Sequence, residues 1–112
     1  MPISPQGHRI TLVDATAMTK LYRENRLDNY PICETFDRAA VELLLADPAC
    51  VSFRIYYGMK ADMTVHAILV GADQNGSDII TIGNGGDDGI ILEEAERCPD
   101  ACPPPSPLNA TY

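Results

Sequence analysis

The sequence predicts an α+β protein in which two N-terminal helices pack on one face of a three- to four-stranded antiparallel meander, followed by an extended Pro-rich C-terminal tail. Three observations support this fold class. Apolar residues recur with a helical period before Pro48 and with a period of two from Val51 onward. Turn-forming residues separate the period-two segments. Five of the nine prolines lie between Pro99 and Pro107, where they exclude a helix interior or a central strand.

The first helix is predicted to begin at Thr11. The segment from Thr11 to Asp14 has the form of a capping box, in which the Thr11 hydroxyl accepts a backbone N–H and the Asp14 carboxylate reaches back. Apolar residues then follow the 3.6-residue period, and the run ends near Asn25. These apolar residues are Val13, Ala17, Met18 and Leu21.

A second helix is predicted between a capping residue, Thr35 or Asp37, and the boundary at Pro48. The residue before a proline is biased away from helical backbone angles, so the helix should end at Asp47. The apolar residues of this helix are Val41, Leu44 and Leu45.

A β-hairpin is expected to follow, with strands over residues 51–57 and 64–71 and a five-residue loop over 59–63. If the loop is centred on Ala61, Phe53 lies opposite Leu69 and one face of the hairpin is wholly apolar. We expect this face to receive the helices.

The dipeptide Asn75-Gly76 predicts a second hairpin with a two-residue type I′ turn, since both central residues of that turn need positive φ. This turn would place Ile80 opposite Gly71. A fourth strand over residues 89–92 is expected to return after a glycine-rich loop and complete the meander.

The length of 112 residues predicts one domain over residues 1–98, with the tail over 99–112. The net charge is −8, and residues 61–112 contain one basic and nine acidic side chains. This charge is the wrong sign for phosphate backbones or anionic lipid heads. We therefore predict neither a nucleic-acid nor a membrane partner, and no motif predicts a cofactor.

Residues 1–9 contain no apolar run of the kind a secretory signal requires. The most apolar stretches, residues 41–46 and 65–72, are much shorter than the ~20 residues of a membrane-spanning helix. A soluble cytoplasmic protein is expected, with reduced thiols as the default state of its cysteines.

The second face of the predicted sheet carries Arg54, Tyr56 and His66, which could form a patch that binds a small polar ligand. Ordinary cross-strand pairing on a half-buried sheet accounts for the same residues. No nucleophile and base are predicted to lie together, so no catalytic residue is assigned.

The C-terminal cysteines Cys98 and Cys102 have a spacing that zinc sites permit, and Cys33 or His66 could complete such a site. Buried reduced thiols and a disulfide between Cys98 and Cys102 are the alternatives.

The loop over residues 73–78 offers a second candidate metal site. Asp73, Asn75 and Asp78 supply oxygen ligands around a glycine turn, as calcium loops do. A plain hairpin turn requires the same residues.

The strand RIYYG at residues 54–58, the hairpin LVGADQNG at 69–76 and the tail CPDACPP at 98–104 resemble those of a group of small uncharacterised bacterial proteins. The resemblance covers residues 10–108 with the elements in the same order. It implies a recurring α+β architecture and a structural or interaction role for the tail between Cys98 and Cys102. It implies no activity and no catalytic residue.

These observations favour a small non-enzymatic protein that acts through protein–protein contacts, as a homodimer or with another partner. The acidic C-terminal half and the Pro-rich tail are the expected contact elements, and the second sheet face is too apolar to be purely solvated. A sheet of this size also has two edges, one of which commonly pairs with a second copy. The alternatives are a metal-binding protein that uses the C-terminal cysteine pair, and an enzyme or small-ligand binder at Arg54, Tyr56 and His66.

Overall fold

The computed structural model describes residues 5–82 and 87–109, which its packing groups into two units: residues 5–28 with 103–109, and residues 29–102. Within the described residues, two α-helices and antiparallel β-sheets confirm the α+β class. The prediction of one domain over residues 1–98 stays a prediction. The elements are a short 3₁₀ helix (Pro5–His8), α1 (Leu12–Asn25), β1 (Cys33–Thr35), α2 (Arg38–Leu45), β2 (Ser52–Met59), β3 (Val65–Ala72), β4 (Thr81–Ile82), β5 (Asp87–Asp88), β6 (Ile91–Leu92) and β7 (Glu96–Cys98).

Helix α1 forms as the sequence predicts. The Thr11 hydroxyl accepts the backbone N–H of Asp14 at 3.0 Å, and the helix ends at Asn25. No side chain of α1 is buried, and Val13 is 77% exposed. The apolar stripe of this helix is therefore open to solvent.

Residues 103–109 of the Pro-rich tail pack in the same unit as α1. Arg23 donates a hydrogen bond to the Leu108 carbonyl at 2.8 Å. Asn109 closes a turn, since its side-chain oxygen accepts the Ser106 N–H at 3.2 Å and its amide donates to the Pro104 carbonyl at 3.1 Å. Residues 104–109 thus form a hydrogen-bonded turn, and the prediction of an extended segment is not confirmed there.

Helix α2 lies in the second unit, where it packs against β3 and β6. Its residue Leu44 is buried, with 2% exposed. The helix ends before Pro48, as predicted. The expected cover of the whole apolar face by helices is not observed, because the β2 part of that face remains exposed.

The first hairpin forms with a register two residues away from the predicted one. Phe53 lies opposite Gly71 and not opposite Leu69. The loop turns around Asp62, whose carboxylate accepts the Thr64 N–H at 3.0 Å, so the centre of the loop moves from Ala61 to Asp62. A shift of two residues keeps every side chain on its predicted face.

The second turn is not the predicted type I′ turn. The Gly76 N–H donates to the Asp73 carbonyl at 2.9 Å, and Gly76 has a φ of +81°. This is a longer turn that ends in a left-handed glycine, stabilised by the Asp73 carboxylate. It places Ile79, and not Ile80, next to Gly71, with the Ile79 N–H donating to the Gly71 carbonyl at 2.8 Å.

The strand order also differs from a simple meander. Strands β2, β3 and β6 form one sheet in that order, with Leu69 opposite Leu92. The segment predicted as the fourth strand, residues 89–92, therefore contains the third strand of this sheet. Strands β4 and β5 pair with each other in a separate hairpin. The sequence predicts a glycine-rich loop over residues 83–88, but Asp87–Asp88 form β5. Residues 83–86 of that loop lie outside the described residues.

Strands β1 and β7, which the sequence analysis did not predict, form another two-stranded sheet. Cys33 lies opposite Cys98 and Glu34 opposite Arg97. A disulfide joins Cys98 to Cys102 directly after β7. The expectation of reduced thiols is therefore wrong for this pair, while Cys33 and Cys50 are free. The buried apolar residues of the described chain are Leu44, Leu69, Val70, Ala72 and Cys98.

Candidate functional site

The three residues predicted as a ligand patch separate into two clusters. Arg54 and Tyr56 meet on the carboxylate of Asp78: the Tyr56 hydroxyl donates to Asp78 Oδ2 at 2.6 Å, and the Arg54 guanidinium forms an ion pair with Oδ1. Arg54 also donates to the Gly76 carbonyl at 3.0 Å. His66 lies on the same sheet face but opposite Gly58, farther along the hairpin than predicted.

The Asp78 cluster fixes the turn to the sheet. Tyr56, which donates to the carboxylate, and the Arg54 guanidinium hold the pKa of Asp78 below its usual value. The hydrogen bond to Asp78 raises the pKa of the Tyr56 phenol. These hydrogen bonds join the loop that carries Gly76 and Asp78 to strand β2.

Replacing Asp78 with asparagine is expected to destabilise the fold at neutral pH by removing this charge. A carboxyl whose folded pKa is lowered stabilises the fold above the unfolded value of about 3.9 and loses that contribution as the pH falls through the lower folded value. The difference in stability between the wild type and Asp78→Asn should therefore shrink at acidic pH. Urea denaturation of both proteins from neutral pH to about pH 2 measures this difference. A difference that does not change with pH would contradict the assignment.

His66 is the centre of the second cluster. Its Nδ1 lies 3.0 Å from Glu93 Oε1 and 3.4 Å from Glu34 Oε2. On the other side of the ring, Nε2 lies 2.8 Å from the Thr64 hydroxyl, which donates its hydrogen to Asp62 at 2.6 Å. A hydroxyl has one hydrogen, so Nε2 is the donor to Thr64.

Glu34 and Arg97 connect the β1–β7 sheet to β3. Glu34 Oε1 accepts the Ala67 N–H at 2.7 Å, and Oε2 lies 3.5 Å from Arg97 Nη1. Arg97 also donates to the backbone carbonyls of Val65 and Asn29. The Glu34 side chain is 5% exposed, so this carboxylate is the most deeply buried member of the cluster.

Glu93 lies at the edge of the cluster, next to the basic side chain of Lys60 and the acidic side chain of Glu94. Its Oε1 is closed off from solvent and accepts no well-aligned hydrogen bond among the described residues. The positive charge of Lys60 lies 3.4 Å away. A hydrogen bond with Glu94, together with burial, raises the pKa of Glu93, while the same bond and Lys60 lower the pKa of Glu94. Glu93 is therefore the carboxyl of this pair with the higher pKa.

A cavity of about 360 Å³ lies beside Glu93. Phe36, Ala40 and Leu92 contribute apolar wall, and the carboxyl groups of Asp37 and Glu96 also line it. None of Arg54, Tyr56 and His66 lines this cavity, so it is not the pocket that an enzyme acting at those three residues requires.

The residues of the predicted metal sites are arranged as follows. Cys98 and Cys102 are bonded to each other, and a disulfide offers no thiolate to a metal. Cys33 lies beside Cys98 on the neighbouring strand. In the described part of the chain, no three His, Cys, Asp or Glu side chains are placed to hold a metal ion.

The predicted calcium loop is organised as a turn. Asp73 accepts the backbone N–H groups of Asn75 and Ser77 at 2.9 and 3.0 Å. The Arg54 guanidinium is already paired with the third predicted ligand, Asp78. Both metal assignments stay predictions.

The open edge of β2 is a feature that the sequence analysis treated only as a general property of sheets. Apolar side chains alternate along this strand and are 45–78% exposed. The period of two in the sequence predicts the alternation of these side chains. It does not predict that β2 is an edge strand, because strand order depends on pairing between distant segments. The exposed residues are Phe53, Ile55, Tyr57 and Met59.

A comparison with protein-family models, curated proteins and solved structures finds no match to the chain. The resemblance to small bacterial proteins therefore stays a prediction. No helix among the described residues is both long enough and apolar enough to cross a membrane.

Proposed function

We propose that this chain is a small non-enzymatic protein that acts through protein–protein contacts, beginning with a homodimer that forms through the open edge of β2. One observation supports the proposal above all. Strand β2 has eight residues, pairs with β3 on one side, and has no strand on its other side among the described residues. A long, apolar edge of this kind offers unpaired backbone groups to another strand.

The backbone of β2 is oriented for such pairing. The Lys60 N–H donates to the Thr64 carbonyl at 3.0 Å, which places the backbone groups of even-numbered residues toward β3. Successive residues in an antiparallel ladder alternate, so the N–H and C=O groups of the odd-numbered residues Phe53, Ile55 and Tyr57 face the open edge. The same odd-numbered residues carry the exposed apolar side chains.

A second copy of the chain matches this edge. An antiparallel pairing centred on Tyr56 sets Ile55 against the second copy's Tyr57, and Phe53 against the second copy's Met59. Each Arg54 then lies opposite a glycine, Gly58, so like charges do not meet across the twofold axis. Arg54 is the single charged residue of β2, and Asp78 already neutralises it.

The proposal predicts that Ile55→Lys abolishes the dimer. In the dimer, each copy would contribute one lysine to the shared apolar face, and the two positive charges would lie close together. Analytical ultracentrifugation from micromolar to millimolar concentration should give a wild-type mass of twice 12.2 kDa, and 12.2 kDa for the variant.

The matched control is Leu43→Lys, which introduces the same charge at an apolar residue that is 62% exposed on α2. This variant should remain dimeric. Ile55→Pro tests the backbone contact separately, because it removes an N–H that faces the open edge and not β3. Circular dichroism shows whether each variant is folded. A wild-type chain that stays monomeric throughout, or a dimer that both lysine variants preserve, would contradict the proposal.

A further inference from the structure

We propose that Cys33, Cys98 and Cys102 form a thiol–disulfide exchange site, in which Cys33 attacks the Cys98 sulfur and releases Cys102 as a surface thiol. Two observations place the three cysteine residues next to one another. The disulfide joins Cys98 to Cys102, and the register of β1 and β7 sets the free cysteine Cys33 directly opposite Cys98.

The strand pairing holds Cys33 and Cys98 at a separation that a disulfide can span. Directly opposed residues of antiparallel strands have Cα atoms about 4.5–5.5 Å apart. Disulfide-bonded cysteines have Cα separations of about 4.4–6.8 Å. A Cys33–Cys98 bond therefore requires no rearrangement of the β1–β7 sheet.

Solvent access favours an internal attack on Cys98. Cys98 is 2% exposed, so a thiol from solution does not reach this residue directly. Cys33 is half-buried on the neighbouring strand, and Cys102 is exposed. Exchange thus transfers the reactive thiol from a partly covered position to the surface, where small thiols and disulfides or a partner's cysteine can react with it.

The exchange step balances without an external oxidant or reductant. Cys33 loses its proton to water, and its thiolate forms a bond to Cys98 Sγ while the Cys98–Cys102 bond breaks. Cys102 leaves as a thiolate and takes up a proton. One disulfide and one thiol are present before and after the step.

Burial, and to a lesser extent the carboxylate of Glu34, raises the pKa of the Cys33 thiol. The thiolate fraction at neutral pH is therefore small, and exchange is slow compared with that of an activated cysteine. An irreversible trap that removes the released Cys102 makes such a slow exchange measurable.

The test incubates the purified full-length chain, without reductant, with iodoacetamide, and maps its peptides by mass spectrometry. Trypsin cleaves after Arg26, Arg38 and Arg97, so Cys33 lies in peptide 27–38 and both C-terminal cysteines lie in peptide 98–112. We expect these two peptides to become linked, with one alkyl group on Cys102. Persistence of the intact Cys98–Cys102 loop while Cys33 itself is alkylated would overturn the proposal.

Two variants control this experiment. Cys33→Ser should show neither the link nor alkylation of Cys102. Cys50→Ser, which removes the other free cysteine, should behave as the wild type does. Loss of the link in Cys50→Ser would also overturn the proposal, because Cys33 would then not displace Cys102 without Cys50.

A further variant tests the geometry independently of the exchange rate. In Cys102→Ser, oxidised glutathione supplies the oxidant and is reduced to two thiols as Cys33 and Cys98 bond to each other. We expect peptide 27–38 to be linked quantitatively to peptide 98–112. Separate mixed disulfides with glutathione on Cys33 and Cys98 would contradict the placement of the two residues.

Discussion

Replacing Glu34 with alanine is expected to lower the free energy of unfolding by about 3–5 kcal/mol, the usual effect of breaking a buried ion pair. The Glu34 side chain is 5% exposed, accepts the Ala67 N–H at 2.7 Å and lies 3.5 Å from Arg97. Alanine would leave that N–H without an acceptor and the guanidinium, which is 18% exposed, without this counter-charge. Urea denaturation with a two-state fit measures the change.

Two control variants separate the buried charge from other effects. Glu96→Ala removes a carboxylate from an exposed position of the same small sheet and should change stability by no more than about 0.5 kcal/mol. Glu34→Gln retains an oxygen for the Ala67 N–H but removes the charge, and should give an intermediate loss. If Glu34→Ala and Glu96→Ala had equal effects, Glu34 would not connect β1 to β3 in solution.

The helices could be predicted because their ends are encoded locally. The N-cap Thr11 accepts an N–H only three residues away, and Pro48 excludes continuation of α2. The period of two likewise identifies β2 and β3 without knowledge of their partners. These signals depend only on residues that are close in the sequence, so they can be interpreted without knowledge of the tertiary structure.

The registers could not be predicted, because side chains in the turns decide them. Asp62 binds the backbone of its own loop and shifts the first hairpin by two residues. Asp73 does the same in the second turn, and Gly76 provides the left-handed position at the end of that turn and not within it. Strands of two or three residues, such as β1 and β6, are too short to show any period.

The candidate sites were predicted in part for a similar reason. Arg54 and Tyr56 share a face of β2, but their partner Asp78 belongs to a loop whose pairing depends on the turn. Glu34 and Arg97 are far apart in sequence, and the three-residue strands that bring them together leave no pattern. One signal was available: Arg97 is the single basic residue of residues 61–112, and such a residue is expected to be surrounded by carboxylates.

The second large effect is expected for Leu44→Ala, which should destabilise the protein by about 2–5 kcal/mol. Leu44 is 2% exposed and, together with Gly71, Ile79 and Ile90, lines a small cavity. Alanine would remove buried methyl groups and enlarge this cavity, which costs their transfer free energy and a further cavity term. Urea denaturation measures the loss.

The matched control is Leu43→Ala, one residue earlier in α2. It removes the same atoms and makes the same change in helix propensity, but Leu43 is 62% exposed. It should change the free energy of unfolding by no more than about 0.5 kcal/mol. The difference between the two variants therefore measures the packing of Leu44. Equal effects would mean that α2 does not lie against β3 in solution. If α2 packed on the apolar face of β2 instead, it would cover the exposed side chains of β2 that the proposed dimer brings together.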